Sequence, residues 1–433
     1  MMKSQLEIEV ISIEKIIPSC PTPHHLRHYN FSFQDQINPP VFMPMVLFYP
    51  NPNPNTIFMD HHEDYERQTK CNHLKIALSQ ALTQFYVLAG RVVDNSHVNC
   101  EDQGVPYVEA RANCQMSNVI QNPVPSEMNM FVPRALDDVQ DLPMVIQITH
   151  FDCGGLAVSV AVSHKVGDAL SFFMFLNAWA ATARGETTGP PPRFESATLF
   201  PPKNIDSFKP NIGMVKENIS TKRFVFTAPN IASLRDKYEF PAGRPTRIEA
   251  LSAFIWTRFI SATKSKIFES KNKIHTIFHA VNLRPRVDPP LPENYFGNIS
   301  RPAITIPTND NNDDDVARCR GIIETMRSAI RKVGDIGDGE KHLSWMKEKG
   351  RSFVKGELVT FNFTSLCRFP VYEADFGWGK AEWAGSASLT FKNLVVFMDT
   401  KNGGGIEAWI NLKEEDMEKM EADKEFLSYV NSS

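Results

Sequence analysis

Between Gly155 and Ala183 the chain changes its hydrophobic period once. Branched apolar residues fall at every second place (Leu156, Val158, Val160, Val162) with small ones between them. That spacing predicts a β-strand packed on both faces. From Asp168 onward Leu170, Phe173, Met174, Leu176, Trp179 and Ala180 recur every three or four places, the period of a helix. His164-Lys165-Val166-Gly167-Asp168 joins the two. The strand therefore carries an imidazole at its end, and Asp168 stands at the helix N-cap. A titratable ring held at such a turn suits a general base.

The same reading along the chain predicts strands over residues 7–17 and Val41–Tyr49, and a helix over 69–86 with Leu74, Leu78, Ala81, Leu82 and Phe85 on one face. Gly90 is its stop. Short strands follow near Val92, Val98 and Val105–Ala110, and another over Met144–Phe151. Past Arg184 the proline-dense GETTGPPPRFESATLFPP predicts a crossover. The second half reads as a strand at Thr221–Phe226, a helix starting at Thr246, a strand at His275–Leu283 and helices at Val316–Lys332 and Leu343–Lys355. The polar run Asn309–Asp315 is a solvated loop. Strands at Leu389–Met398 and Gly405–Leu412 come last, joined by the Gly403-Gly404-Gly405 turn and followed by a charged helix. Strands interleaved with helices in each half predict an α/β protein with a mixed sheet in each of two domains: 1–188, a linker over 189–215, and 216–433.

Composition narrows the partners. Hydrophobic residues make up 42% and charged ones 22%, values of a chain with a sizeable core. A net charge of -4 gives nucleic acid or an acidic membrane no reason to bind. The seven cysteines are scattered without CxxC spacing, so no metal site is signalled and reduced thiols in the cytosol are expected. The N-terminus lacks the apolar core of a signal peptide, and no 18-residue apolar run exists. A cytoplasmic monomer is the expectation.

The chemistry candidates are few. His164 and Asp168 form an H-x-x-x-D pattern, weak alone but placed on the strand-to-helix turn. A capping or ion-pair role explains Asp168 better than proton transfer does. In Asp375-Phe376-Gly377-Trp378-Gly379 the glycines mark a turn with close backbone approach, and Asp375 would need a cation if buried. Arg284, with Arg286 as the alternative, is the guanidinium expected to pair with one of these acids. His61-His62-Glu63-Asp64 is read as a surface loop, since neither histidine finds a second ligand at helical spacing. The chain has no G-x-S-x-G, P-loop, G-x-G-x-x-G or H-E-x-x-H.

Together HKVGD at 164–168 and DFGWG at 375–379 resemble the paired signatures of the BAHD acyltransferases, plant enzymes that use acyl-CoA donors. The similarity extends to PSCPTP (18–23), LSQALTQFYVLAGR (78–91), HFDCGGLAVSVAVSH (150–164) and NLRPRVDPPLPENYFGN (282–298). It is strongest toward members acylating alkaloid and terpenoid alcohols. Val87 replaces the family's usual proline, and Ile299 follows YFGN where many flavonoid malonyltransferases have cysteine. The resemblance implies two chloramphenicol-acetyltransferase-like domains joined by a crossover, with His164 in a solvent channel between them. It implies that His164 is the general base and that Asp168 orients structure by pairing with Arg284. DFGWG, carrying Asp375, Gly377, Trp378 and Gly379, would shape the CoA side, and Thr246, Ser252, Asn282 and Trp378 would bind CoA. Acyl-CoA, most simply acetyl-CoA, is the implied co-substrate, with no bound cofactor or metal. Malonyl or other acyl donors, hydrolysis of an ester by the same histidine, and a silent metabolite-binding role remain as alternatives.

Overall fold

The computed structural model describes residues 6–51, 60–205, 218–267, 274–307, 314–334, 344, 348, 358–389 and 391–432. In chain order the first elements are β1 (Ile8–Ile16), β2 (His28–Asn30), α1 (Phe33–Ile37), β3 (Phe42–Tyr49) and α2 (Asp60–Gln84). Next come β4 (Arg91–Val93), β5 (His97–Asn99), β6 (Val105–Ala112), α3 (Met116–Ile120), β7 (Met144–Phe151), β8 (Leu156–Ser163), α4 (Ala169–Ala183) and α5 (Ser196–Leu199). The rest are β9 (Ile219–Phe226), α6 (Ala228–Lys237), α7 (Arg247–Ile267), β10 (Ile274–Asn282), β11 (Ser300–Thr305), α8 (Asp315–Arg331), β12 (Leu358–Ser365), β13 (Trp383–Gly385), β14 (Leu394–Asp399), β15 (Ile406–Lys413) and β16 (Asn431–Ser432). Helices Glu414–Ala422 and Lys424–Leu427 form the expected charged C-terminal segment.

Two compact units result, each with a mixed sheet. The first comprises residues 1–210, 292–299 and 369–388, and the second the remainder. The chain therefore crosses between units near 210 and again at 291/292, 299/300, 368/369 and 388/389. Expecting one crossover at 189–215, with DFGWG in the C-terminal domain, misses the last four crossings. Residues 375–379 belong to the first unit. The reason is strand pairing: β13 extends the first sheet by lying antiparallel to β3, Trp383 opposite Phe48 and Gly385 opposite Val46.

The first sheet runs β1-β6-β7-β8-β3-β13. All eight residues of β8 are buried between β7 and β3, as its two-faced apolar pattern predicts. Helix α4 follows it and packs on α2, where the Trp179 indole N–H donates to Leu74 O at 3.1 Å and Phe85 meets Phe175 edge-on. The second sheet runs β11-β10-β12-β14-β15-β9-β16, with β12 parallel to both β10 and β14. Its core is closed by Phe254, Ile255 and Phe259 of α7 and by Ile322, Ile323 and Met326 of α8.

Several local expectations change. Helix α2 begins at Asp60, so His61–Asp64 lie in its first turns and not in a loop. The crossover contains α5. Strand β14 starts at Leu394, not Leu389. Strands β11, β12 and β13, of six, eight and three residues, are not among the elements that the sequence reading gives. Of Leu343–Lys355, only Ser344 and Glu348 are among the described residues, and both are helical; residues 309–313 lie outside them. Among the described residues no helix is long and apolar enough to cross a membrane.

Candidate active site

The site grows out of the end of β8. Ser163 lies opposite Phe42 of β3, and the next residue keeps the ladder: His164 N–H donates to Val41 O at 2.8 Å. The chain then turns, Val166 N–H reaching Ser163 O at 2.9 Å, and Asp168 caps α4. Its Oδ1 accepts from the Ser171 N–H and hydroxyl, each at 3.0 Å, and its Oδ2 accepts from the Ile299 N–H at 3.1 Å. Asp168 thus does what its N-cap position predicts and also ties α4 to residues 297–299. The half-buried imidazole stays at the strand mouth.

Asn298 orients that imidazole, a role that sequence spacing does not reveal. Its Nδ2 donates to Asp35 Oδ1 and to His164 O, both at 2.8 Å. With the amide nitrogen so placed, Oδ1 is the atom that faces His164 Nδ1, 3.1 Å away. An amide oxygen accepts only, so Nδ1 carries the proton and Nε2 keeps its lone pair. Burial pushes the His164 pKa below its ordinary value, which holds the ring neutral.

Behind Asn298 lies Asp35, fully buried. Its two oxygens accept four hydrogen bonds, from Asn298 N and Nδ2 and from Ser32 N and Oγ. Ser32 caps α1 in a capping box with Asp35. Burial raises the Asp35 carboxyl to about 6, so it is largely ionised at neutral pH. Lys165, also buried, donates to Asp35 O at 3.2 Å, Gln36 O at 2.8 Å and Asn95 Oδ1 at 2.6 Å. Burial brings its ammonium down to about 8. A capping-box pattern, Ser32-x-x-Asp35, was the one sequence signal for this group.

Gly297 makes the approach possible. At φ +119° it occupies a backbone region that side chains rarely adopt, and a Cβ there would meet Tyr29 Oη and Ser196 Oγ at 2.9 Å.

The DFGWG segment is a self-capped turn. Asp375 Oδ1 accepts from Gly377 N at 2.8 Å and Gly379 N at 2.9 Å, and Arg184 Nη1 donates to Asp375 O. Tyr49 Oη donates to Ala374 O at 2.7 Å, while Phe376 packs edge-on against Trp179. The glycines adopt φ +107° and +99°, yet the only atom near an added Cβ is Arg184 Cγ at 3.9 Å from Gly377. They serve backbone conformation, which corrects the expected close approach. Trp378 stacks on Phe376, and its buried indole N–H has no hydrogen-bond partner among the described residues.

Arg284, 1% exposed, lies in the second unit with Nη1 3.3 Å from Asn282 Oδ1; Arg286 is exposed. Of the residues expected to bind CoA, Thr246 is exposed and forms a capping box with Glu249. Ser252 is buried in α7, its hydroxyl without a hydrogen-bond partner among the described residues. Asn282 ends β10 and lines a cavity.

A neutral imidazole delivered by a strand and a DFGWG turn, both in the first of two units that each carry a mixed sheet, point to a class. Residues 6–427 match the family described as the Transferase family, and the chain belongs to it: it is a BAHD acyl-CoA-dependent O-acyltransferase. It is 36% identical to stemmadenine O-acetyltransferase of Catharanthus roseus and 37% identical to vinorine synthase of Rauvolfia serpentina, over 98% of both chains in each case. A limonoid 21-O-acetyltransferase of Melia azedarach is 34% identical over the same share. The crystal structure of vinorine synthase superposes with a TM-score of 0.84 at 36% identity, covering 99% of each chain.

Proposed function

We propose that the protein transfers an acetyl group from acetyl-CoA to a hydroxyl of a plant specialised metabolite, an alkaloid or a comparable alcohol, with His164 as the general base. The observation that carries this reading is the Asn298 contact, whose oxygen accepts from the Nδ1–H tautomer and leaves Nε2 as the acceptor. The relatives' names support acetyl as the group and alkaloid or limonoid alcohols as acceptors.

The chemistry follows from the nucleophile. An alcohol attacks a thioester slowly until a base takes its proton. Nε2 removes that proton as the oxygen bonds to the thioester carbonyl carbon, giving a tetrahedral oxyanion and an imidazolium. The carbon–sulfur bond then breaks, and the departing thiolate takes the proton back. The roles of Asp168 and of the Asp375–Gly379 turn are to hold backbone in place.

The test is acetyl-CoA with the purified protein, with and without a panel of alkaloid and terpenoid alcohols, read by thiol release and product mass. Acceptor-dependent release is expected, and His164→Ala is expected to lose it by at least about a hundredfold with its melting temperature kept. Thiol release equal with and without acceptor would instead favour a hydrolase. Seven free cysteines fit a cytosolic protein, and we read it as a monomer.

A further inference from the structure

Of the seven free cysteines, two stand side by side at one end of the first sheet. Strands β6 and β7 run parallel, and their last paired residues are Ala112 and Phe151. Cys114 and Cys153 each follow two residues later. The chains stay together there, since the Asp152 N–H donates to Cys114 O at 3.2 Å. Neighbouring strands lie about 4.8 Å apart, inside the roughly 4.4–6.8 Å that a disulfide spans between Cα atoms. The Cys153 sulfur leans toward the segment that leaves Cys114: the Met116 N–H donates to Cys153 Sγ at 3.4 Å. A Cβ built on Gly155 would meet the same two residues, Met116 Sδ at 3.2 Å and Cys153 Sγ at 3.3 Å.

Burial, followed by the neighbouring Asp152, Cys153 and Glu127, pushes the Cys114 thiol up. Cys114 therefore keeps its proton and is the poorer nucleophile, which leaves first attack to Cys153. Both side chains are half-buried and open to a small oxidant, whereas Cys71, Cys100 and Cys319 are buried.

We propose that Cys114 and Cys153 form a redox modification site, closing reversibly to an intrachain disulfide on exposure to a hydroperoxide. The Cys153 sulfur attacks the peroxide O–O bond and becomes a sulfenic acid. The Cys114 sulfur then bonds to the Cys153 sulfur and expels its oxygen as water. The two thiols give up two electrons and two protons, and hydrogen peroxide leaves as two water molecules. The bridge ties the end of β6 to the turn between β7 and β8. His164 follows the opposite end of β8, so the bridge strengthens the first unit without touching the base.

The test treats the purified whole chain with a few equivalents of hydrogen peroxide, blocks it with iodoacetamide, digests it without reductant and maps the peptides by mass. The expected product is a peptide pair joined through Cys114 and Cys153, lighter by two hydrogens than its parts and separated by dithiothreitol. Titratable thiols are expected to fall from seven to five. Cys114→Ser is expected to leave Cys153 as a sulfenic acid that dimedone captures, and Cys153→Ser to leave Cys114 unoxidised. The bridged protein is expected to melt about 3 °C or more above the reduced one, with kcat unchanged. Separate oxidation of the two cysteines, or pairing of either with another cysteine, overturns the proposal. A bridged protein that melts at or below the temperature of the reduced one overturns the strengthening of the first unit. Because the peptide map reads the wild-type chain, it decides the site even where a serine variant fails to fold.

Discussion

His164 Nδ1 and Asn298 Oδ1 lie 3.1 Å apart although 134 positions separate the two residues. The contact selects one tautomer of the imidazole, and Asp35 selects the orientation of the amide that makes it. Asn298→Ala removes the acceptor and lets the ring rotate or hold its proton on Nε2. The expected result is a fall in kcat of about tenfold to a hundredfold with the KM for acyl-CoA little changed. Steady-state kinetics at saturating acceptor measure both, and a variant with wild-type kcat removes Asn298 from the positioning of the base.

The buried charges behind Asn298 set a pH window. Asp35, raised to about 6 by burial, must be ionised for its oxygens to accept from four donors. Lys165, lowered to about 8 by burial, must be protonated to donate to three oxygens. His164, shifted below its ordinary value by burial, loses its proton on the same acid limb. The rate is therefore expected to rise with pH through about 6, hold, and fall as pH rises through about 8. Lys165→Met should lower the plateau and abolish the alkaline fall. A fall near pH 8 that survives in Lys165→Met assigns it to another group.

Removing the Asp168 carboxylate uncaps α4 and strands the Ile299 N–H. Asp168→Ala is expected to lose about 2–4 kcal/mol of stability, seen as a lower denaturation midpoint, with activity falling in step. An inactive Asp168→Ala protein that unfolds at the wild-type midpoint would show that the carboxylate acts on the reaction directly.

At Gly297 the obstacle is steric as well as conformational. A methyl group there has Tyr29 Oη and Ser196 Oγ only 2.9 Å away at a φ of +119°. Gly297→Ala is expected to cost about 1–3 kcal/mol and to shift Asn298 from the ring, lowering kcat beyond what the stability loss explains. Thermal melts and kcat measured on the same preparation separate the two effects.

What the sequence by itself determined is local. Alternation built β8, the three-to-four spacing built α4, and Asp168 could be read as the cap between them, because each depends on neighbours a few residues away. The HKVGD and DFGWG motifs carried the family for the same reason. Tertiary structure decided the rest: that Asn298 meets the imidazole, that Asp35 reaches Asn298 across 263 positions, that DFGWG packs with the first unit, and that His279 faces a cavity. A hydrogen bond is made within about 3 Å, and which residues come that close is settled by strand register and by where the chain crosses between units, quantities that no short stretch of residues encodes.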